Sequence, residues 1–172
     1  MQVKVEAKQN PLKQMRQQAK KLDGKEVAVG ALTGEHAWLA GIHEYGCHIP
    51  VTDKMRAWLH YQGIHLKKST TEIMIPERSF IRSGFDSHIE EAVQNFHVML
   101  DSFLQSDKSE TVILSQFGKQ LASMIQAYAA QLSDPPKSDA SIALGASSNP
   151  LVDTGEMING ITYSIDGKVI QS

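Results

Sequence analysis

This chain of 172 residues has a single cysteine, no apolar run long enough to cross a membrane and no surplus of basic residues. Each absence closes a class of protein. One thiol, Cys47, excludes an internal disulfide, and its expected state is a free, buried one. A membrane span needs ~18–20 consecutive apolar residues, and nothing here approaches that. The opening run, Met1 to Lys8, lacks the apolar central region of a secretory signal, so the cytosol is the expected place of synthesis. Lys and Arg number 17 against 19 Asp and Glu, for a net charge of −2. A domain built mainly for nucleic acid usually carries a basic excess instead.

What remains is ordinary material for a folded chain, 41% hydrophobic and 21% charged. A chain of this size buries roughly 70% of its unfolded surface, enough for a core without covalent staples. One domain is expected over residues 1–172. It divides into an N-terminal helix (1–24), strands with short helices (25–86), a helical hairpin (87–132), a flexible loop (133–149) and a capped turn with a β-hairpin (150–172).

Local signals support that division. Asn10-Pro11 reads as an N-cap and first helical residue, and Leu12, Met15, Ala19 and Leu22 follow at helical spacing until Asp23-Gly24. The opposite face, with Lys13, Arg16, Lys20 and Lys21, is basic. Lys25 to Gly30 is a short strand. Trp38, Leu39, Ile42 and Tyr45 suggest one apolar face of a short helix that stops at Gly46. Cys47 to Val51 is extended, and Thr52 caps a second short helix carrying Met55, Trp58 and Leu59. Ile64, Leu66, Ile73 and Ile75 alternate with polar neighbours, which predicts a hairpin around Lys67 to Thr71.

Two longer helices come next. Ser87 with Glu90 has capping-box spacing, and so does Asp107 with Glu110. Ile89, Val93, Phe96, Leu100 and Phe103 form one stripe; Ile113, Phe117, Leu121 and Tyr128 form the other. Their short connection predicts an antiparallel pair. From Ser133 to Asn149 the chain turns Ser-, Ala- and Pro-rich, with Ile142 and Leu144 as apolar anchors and room for one helical turn at most. At the end, Asp153 and Glu156 form a further capping pair, and Gly160 reads as a left-handed helix stop. Ile161 to Ile165 alternates as a strand, and Asp166-Gly167 turns it back. The expected fold class is α+β: a small antiparallel or mixed sheet, from strands near 25–30, 47–51, 64–75 and 161–170, against the helical pair.

Residues suited to catalysis are present without a catalytic pattern. His36, His43, His48, His60 and His65 fall within thirty residues, with Glu35, Glu44, Cys47 and Asp53 among them. Zinc needs three or four converging ligands, and these spacings match no familiar ligand set. A metal-dependent enzyme built on segment 36–65 therefore stands as one alternative reading. A small nucleic-acid-binding module using the basic first helix is another. No Gly-x-Ser-x-Gly elbow marks a nucleophile. Gly30 to Gly34 lacks the Lys and third Gly of a phosphate loop. Neither an enzymatic role nor a cofactor is expected, and no metal.

Three runs carry a more specific message. Near the C-terminus stands Asn149-Pro150-Leu151-Val152-Asp153-Thr154-Gly155, followed by Ile161-Thr162-Tyr163. In the middle stands Ala40-Gly41-Ile42-His43-Glu44-Tyr45-Gly46. Some thirty residues later comes Ile75-Pro76-Glu77-Arg78-Ser79-Phe80-Ile81-Arg82. In this order, with two long helices between the second and third motifs along the chain, the set resembles bacteriophage virion-morphogenesis proteins over about residues 25–170. These are the neck or tail-completion proteins that join head to tail.

The resemblance implies a non-enzymatic virion protein at the head–tail junction or tail end, made in the host cytoplasm and assembled as a ring of identical subunits. Its implied partners are sister copies and other neck, tail or connector proteins. There is no membrane partner, and DNA is met only indirectly in a channel. The residues implied to matter are Glu44, Tyr45, Gly46, Pro76, Arg78, Phe80, Arg82, Asp153, Thr154 and Gly155. Phe80 is expected as a core anchor, and Asp153 to Gly155 as a cap with a tight turn. Arg78 and Arg82, four apart, would share a side of a helical turn. Either one of them pairs with Glu44 or Asp86 inside the fold, or they bridge subunits. The basic first helix and the Pro-rich loop are the candidate contact surfaces. Three departures from the family pattern stand out: Ser79 replaces the usual proline, Val51 to Lys68 is a longer insertion, and Ser141 to Ser148 lacks basic residues.

Overall fold

The computed structural model describes residues 10–32, 34–143, 145–147, 149–152 and 154–170, without the side chains of residues 35, 140 and 143. The elements follow the chain in this order: α1 (Pro11–Leu22), β1 (Val27–Gly30), α2 (Gly34–Tyr45), β2 (Cys47–Pro50), α3 (Asp53–Tyr61), β3 (Glu72–Ile75) and α4 (Phe80–Leu104). Then come α5 (Glu110–Gln131), α6 (Asp139–Ala143), α7 (Glu156–Asn159), β4 (Thr162–Ile165) and β5 (Lys168–Ile170). The class is α+β.

The helical pair is the frame. Gly84 of α4 faces the Tyr128 ring of α5. Further along, Phe96 meets Phe117 edge to face at 5.2 Å between centroids. Residues ascending in one helix thus meet residues descending in the other, so α4 and α5 run antiparallel. Their apolar stripes feed two clusters. One gathers Phe80, Leu121, Ile125, Ala129 and Ile158; the other gathers Phe103, Ile113, Leu114 and Tyr163. Full burial of one such side chain stabilises by about 1.5–3 kcal/mol. Gly118 lets the sheet approach closely, since a Cβ there would fall 2.5 Å from Tyr163 Cδ2.

The strands form two sheets rather than the single expected one. β1, β4 and β5 make an antiparallel sheet in the order β1-β4-β5, and β2 pairs with β3 apart from it. Val27 lies opposite Ile165 and Gly30 opposite Thr162, and Asp166 (φ 50°) with Gly167 (φ 76°) turns the final hairpin as expected. The hairpin predicted within 64–75 does not form. Arg56 Nη1 donates to the carbonyls of Leu66 and Lys67 (3.3 and 2.9 Å), and Nη2 to that of Thr70 (2.7 Å), so the segment is held as a loop. β3 pairs instead with β2, Cys47 opposite Ile75.

Several caps also differ from expectation. Helix α4 starts at Phe80, not at Ser87, so the boundary at 86/87 falls inside it. Ser87 Oγ bonds back to the Ser83 carbonyl at 2.7 Å instead of capping. Ser109, not Asp107, caps α5, accepting from the Thr111 N–H. Gly160 is right-handed (φ −75°). Its glycine is suited to crowding, since a Cβ would lie 3.3 Å from His36 Cβ. Asn10, Pro11 and Thr52 serve as expected. The loop after α5 holds one short helix, α6. Ile142 on it is exposed rather than an anchor, and Leu144 lies outside the described residues.

Candidate functional site

Glu44 organises the site. It sits on α2 four residues after Ala40, and both are buried. Its carboxylate meets the start of α4, where a helix leaves backbone N–H groups without partners. Oε2 accepts from the Ile81 N–H at 2.8 Å, and Oε1 from the Arg82 N–H at 2.9 Å. Oε1 also accepts from Arg82 Nε at 2.9 Å and from Ser79 Oγ at 3.2 Å. A carboxylate at this end is favoured by the helix dipole as well. Ser79 makes no cap of its own; the cap arrives from 35 residues upstream. That is why the helix begins eight residues earlier, after Ser79 rather than Ser87, than the local capping box suggested.

Arg82 completes the junction. Its Nη2 donates to the Glu44 carbonyl at 3.0 Å and to Glu77 Oε1 at 2.6 Å. Its guanidinium lies over the Tyr45 ring, 4.7 Å from the centroid, a favourable cation–π position. These carboxylates hold the Arg82 guanidinium above its ordinary value, hydrogen bonding to Glu44 first. Gly46 is required for backbone reasons: φ is 68°, and a Cβ would lie 2.8 Å from both Glu77 N and Ile75 O. Phe80 is fully buried, the anchor expected.

Arg78 does not share a face with Arg82. It precedes α4, is covered to 4% exposure, and points the other way. Nε donates to the Pro135 carbonyl (2.7 Å) and Nη2 to the Pro136 carbonyl (2.8 Å), while Nη1 stands 3.4 Å from His43 Nδ1. Its backbone N–H bonds the His43 carbonyl at 2.7 Å. Desolvation depresses its pKa, although the group lies just beneath the surface. So the two arginines split the work. Arg82 takes the Glu44 pairing within the fold, and Arg78 straps the Pro-rich loop to the β3–α4 junction.

That strap shapes a cleft of about 1130 Å³ between α2, β3 and the segment from α6 to α7. Its floor includes Pro76, Arg78, Pro136 and Leu151; Trp38, Leu39 and Met74 stand at its walls. Trp38 is 72% exposed and Met74 63%. The apolar face expected on α2 is therefore not a core face. Ala40 lets that helix lie close to its neighbours, and the large residues turn toward the cleft and solvent. Tyr45 is likewise exposed beneath Arg82, and Trp58 on α3 is exposed as well.

The C-terminal motif closes the opposite wall. Asn149 Oδ1 accepts from the N–H groups of Leu151 and Val152, and its Nδ2 donates to the Ala130 carbonyl at 2.7 Å. Pro150 behind it is fully buried. Thr154 and Gly155 (φ 83°) line the cleft, with Thr154 Oγ1 accepting from the Glu156 N–H. Asp153, expected as the cap, lies outside the described residues. The structure thus brings His43, Pro76, Arg78, Thr154 and Gly155, drawn from all three motif runs, to one concavity.

Sequence reasoning missed three members. Lys137 lines the cleft and donates to the Val152 carbonyl at 3.2 Å. His36 and His43, seven apart on α2, both reach the cleft, although the sequence showed no pocket there. Their spacing was the available signal. Burial, with Arg78 and Lys137 nearby, lowers the His43 pKa. The other histidines lie elsewhere: His48 pairs with Glu72 at 3.2 Å, and His60 Nδ1 meets His65 Nδ1 at 2.7 Å. Among the described residues no three His, Cys, Asp or Glu side chains converge as a metal site. Cys47 is a half-buried free thiol. No described helix is long and apolar enough to cross a membrane.

No family model, no curated protein and no solved structure matches this chain.

Proposed function

We propose that this chain is a structural virion-assembly protein of a tailed phage or prophage. It completes the neck or tail, joining head to tail as a ring of identical subunits. One observation carries the reading: the three runs on which the resemblance rests act as one spatial unit. Glu44 of the first run caps the helix that the second run begins, and Arg78 and Thr154 both line one cleft. Chance likenesses scattered through a sequence give no reason for such convergence. The function needs no turnover. It needs a firm polar junction that holds a surface in fixed shape, and the buried carboxylate with its four donors provides one.

The working site is the virion, at the head–tail junction or tail end, with the host cytoplasm as the place of assembly. Sister copies and other neck, tail or connector proteins are the partners, and DNA passes by without being read. Deleting the gene from its phage or prophage and inspecting the lysate by electron microscopy tests this. Filled heads and separate tails are the expected result. Complete virions in normal number would overturn the proposal.

A further inference from the structure

The Pro-rich loop after α5 is tied down by a single buried cation. Arg78 spends Nε on the Pro135 carbonyl and Nη2 on the Pro136 carbonyl, at 2.7 and 2.8 Å. The remaining arm of the guanidinium, Nη1, stands 3.4 Å from His43 Nδ1. A guanidinium has donors only and keeps its charge throughout the range in which proteins stay folded. The nitrogen facing it must therefore accept, which makes His43 neutral with its proton on Nε2. The Arg78 N–H also bonds the His43 carbonyl at 2.7 Å, so main chain holds the two residues together whatever the charge on the ring. Of these contacts only the one to Nδ1 depends on a proton.

The charges that face the ring are all of one sign. They are Arg78, from the junction of β3 with α4, and Lys137, from the loop itself. On α2, Glu44 is turned to the start of α4 and to Arg82, and His36 lines the same cleft seven residues before His43. Glu77, next to Arg78 in the chain, is bonded to Arg82 at 2.6 Å. From α7, Glu156 is the carboxylate among the described lining residues of the cleft. Among the described residues no carboxylate is bonded to the His43 ring. Burial and two neighbouring cations therefore favour the neutral ring, and both cations hold the same loop, Lys137 through the Val152 carbonyl at 3.2 Å.

We propose that His43 is a proton-operated catch on this strap. With the ring neutral, Arg78 stays latched to Pro135 and Pro136 and the loop lies closed along the cleft. A proton taken from solvent onto Nδ1 replaces the accepting lone pair with a second donor facing a guanidinium. Arg78 and Lys137 are then repelled, the two proline carbonyls lose their donor, and the loop swings off the cleft. No covalent bond changes. The sign follows from linkage: with the loop open the ring sits in an ordinary imidazole environment and binds a proton more readily than with the loop closed. Opening therefore grows as pH falls below 6.5 and levels off beneath the lower value of the closed state. The catch holds whether or not the chain forms a ring.

Hydrogen exchange on the whole purified chain tests this, read from about pH 7.5 to about pH 5 as protection factors corrected for the intrinsic rate at each pH. The reporters are the amides of Ser141 and Ile142, which bond the Ser138 carbonyl just beyond the strap. Their protection should fall as pH drops below 6.5, by at most about tenfold per pH unit, the limit for one proton. Core amides of α5, at Leu121 and Ile125, should keep theirs. His43→Asn places a non-titrating amide near the same position and should hold the loop's protection level across the range. His36→Asn, in the same cleft, should behave as the parent does. Arg78→Lys gives up the forked pair of carbonyl bonds and should exchange as the open form at every pH, with a melting curve at the upper pH to separate this from unfolding. If Arg78→Lys does not fold, the two histidine variants decide. A flat profile in the parent chain would overturn the catch. So would a pH dependence that survives His43→Asn or vanishes in His36→Asn, or an equal loss of protection in α5.

Discussion

The helical pair and the Glu44 junction are held by different physics, and they respond differently to reading and to mutation. Between α4 and α5 the stabilisation is apolar area: Leu121, Ile125, Phe96 and Phe117 stripes at helical spacing, each replaceable in kind. At the junction it is a buried carboxylate whose partners come from residues 79 to 82. An apolar contact weakens gradually as methylenes are removed. A buried charge network fails when one member goes, because the others keep their desolvation cost without their bonds. The first region gives the molecule stability; the second fixes where α2 lies against α4, and so the shape of the cleft.

Substitutions can break that contrast. The largest expected loss is in the core: Leu121→Ala, by about 2–5 kcal/mol in urea unfolding, as for other buried leucines. In a Trp58→Phe background, Trp38 fluorescence in the folded protein should stay as it was, since Leu121 packs in the core and does not itself line the cleft. Glu44→Ala should cost somewhat less, about 3 kcal/mol, from the lost helix cap and the orphaned donors. Here the folded-state Trp38 emission should change, because α2 loses its tie to α4. If both variants left the emission alike, the junction would have no separate role in shaping the cleft.

The smallest effect is one of pH. His43 has its pKa lowered in the folded state, by burial first and then by Arg78 and Lys137. The unfolded chain therefore binds a proton more readily. The sign follows: stability is whole above the ordinary imidazole value of 6.5 and declines as pH falls below it, until the folded-state value is passed. His43→Asn should flatten the acid side of the stability curve between those two values, by comparison with the parent chain. An unchanged slope would mean that His43 titrates freely and does not face Arg78 as described.

Much of the frame was legible because it obeys local rules. Asn10-Pro11, Thr52 and Asp166-Gly167 each decide their turn or cap from within a few residues, and the stripes of α4 and α5 repeat every three or four positions. What escaped was non-local. The start of α4 was misplaced because its cap, Glu44, lies 36 residues before Phe80. The expected 64–75 hairpin was lost to one side chain, Arg56, holding three carbonyls. The apolar residues of α2 were read as one face of a short helix, and Trp38 and Leu39 on it wall a cleft, since periodicity reports a stripe and not what covers it. For the site, the motif runs named Glu44, Tyr45, Gly46, Arg78 and Arg82. They did not say that the two arginines diverge, nor that Lys137 joins them.

The central claim is that this junction exists to present the cleft as a joining surface. Its most direct test adds purified protein to an extract of unjoined heads and tails and counts complete particles. The parent chain should restore joining, while Trp38→Ala, folded and with an unchanged melting temperature, should restore few or none. Full joining by Trp38→Ala, or none by the parent chain, would contradict the account.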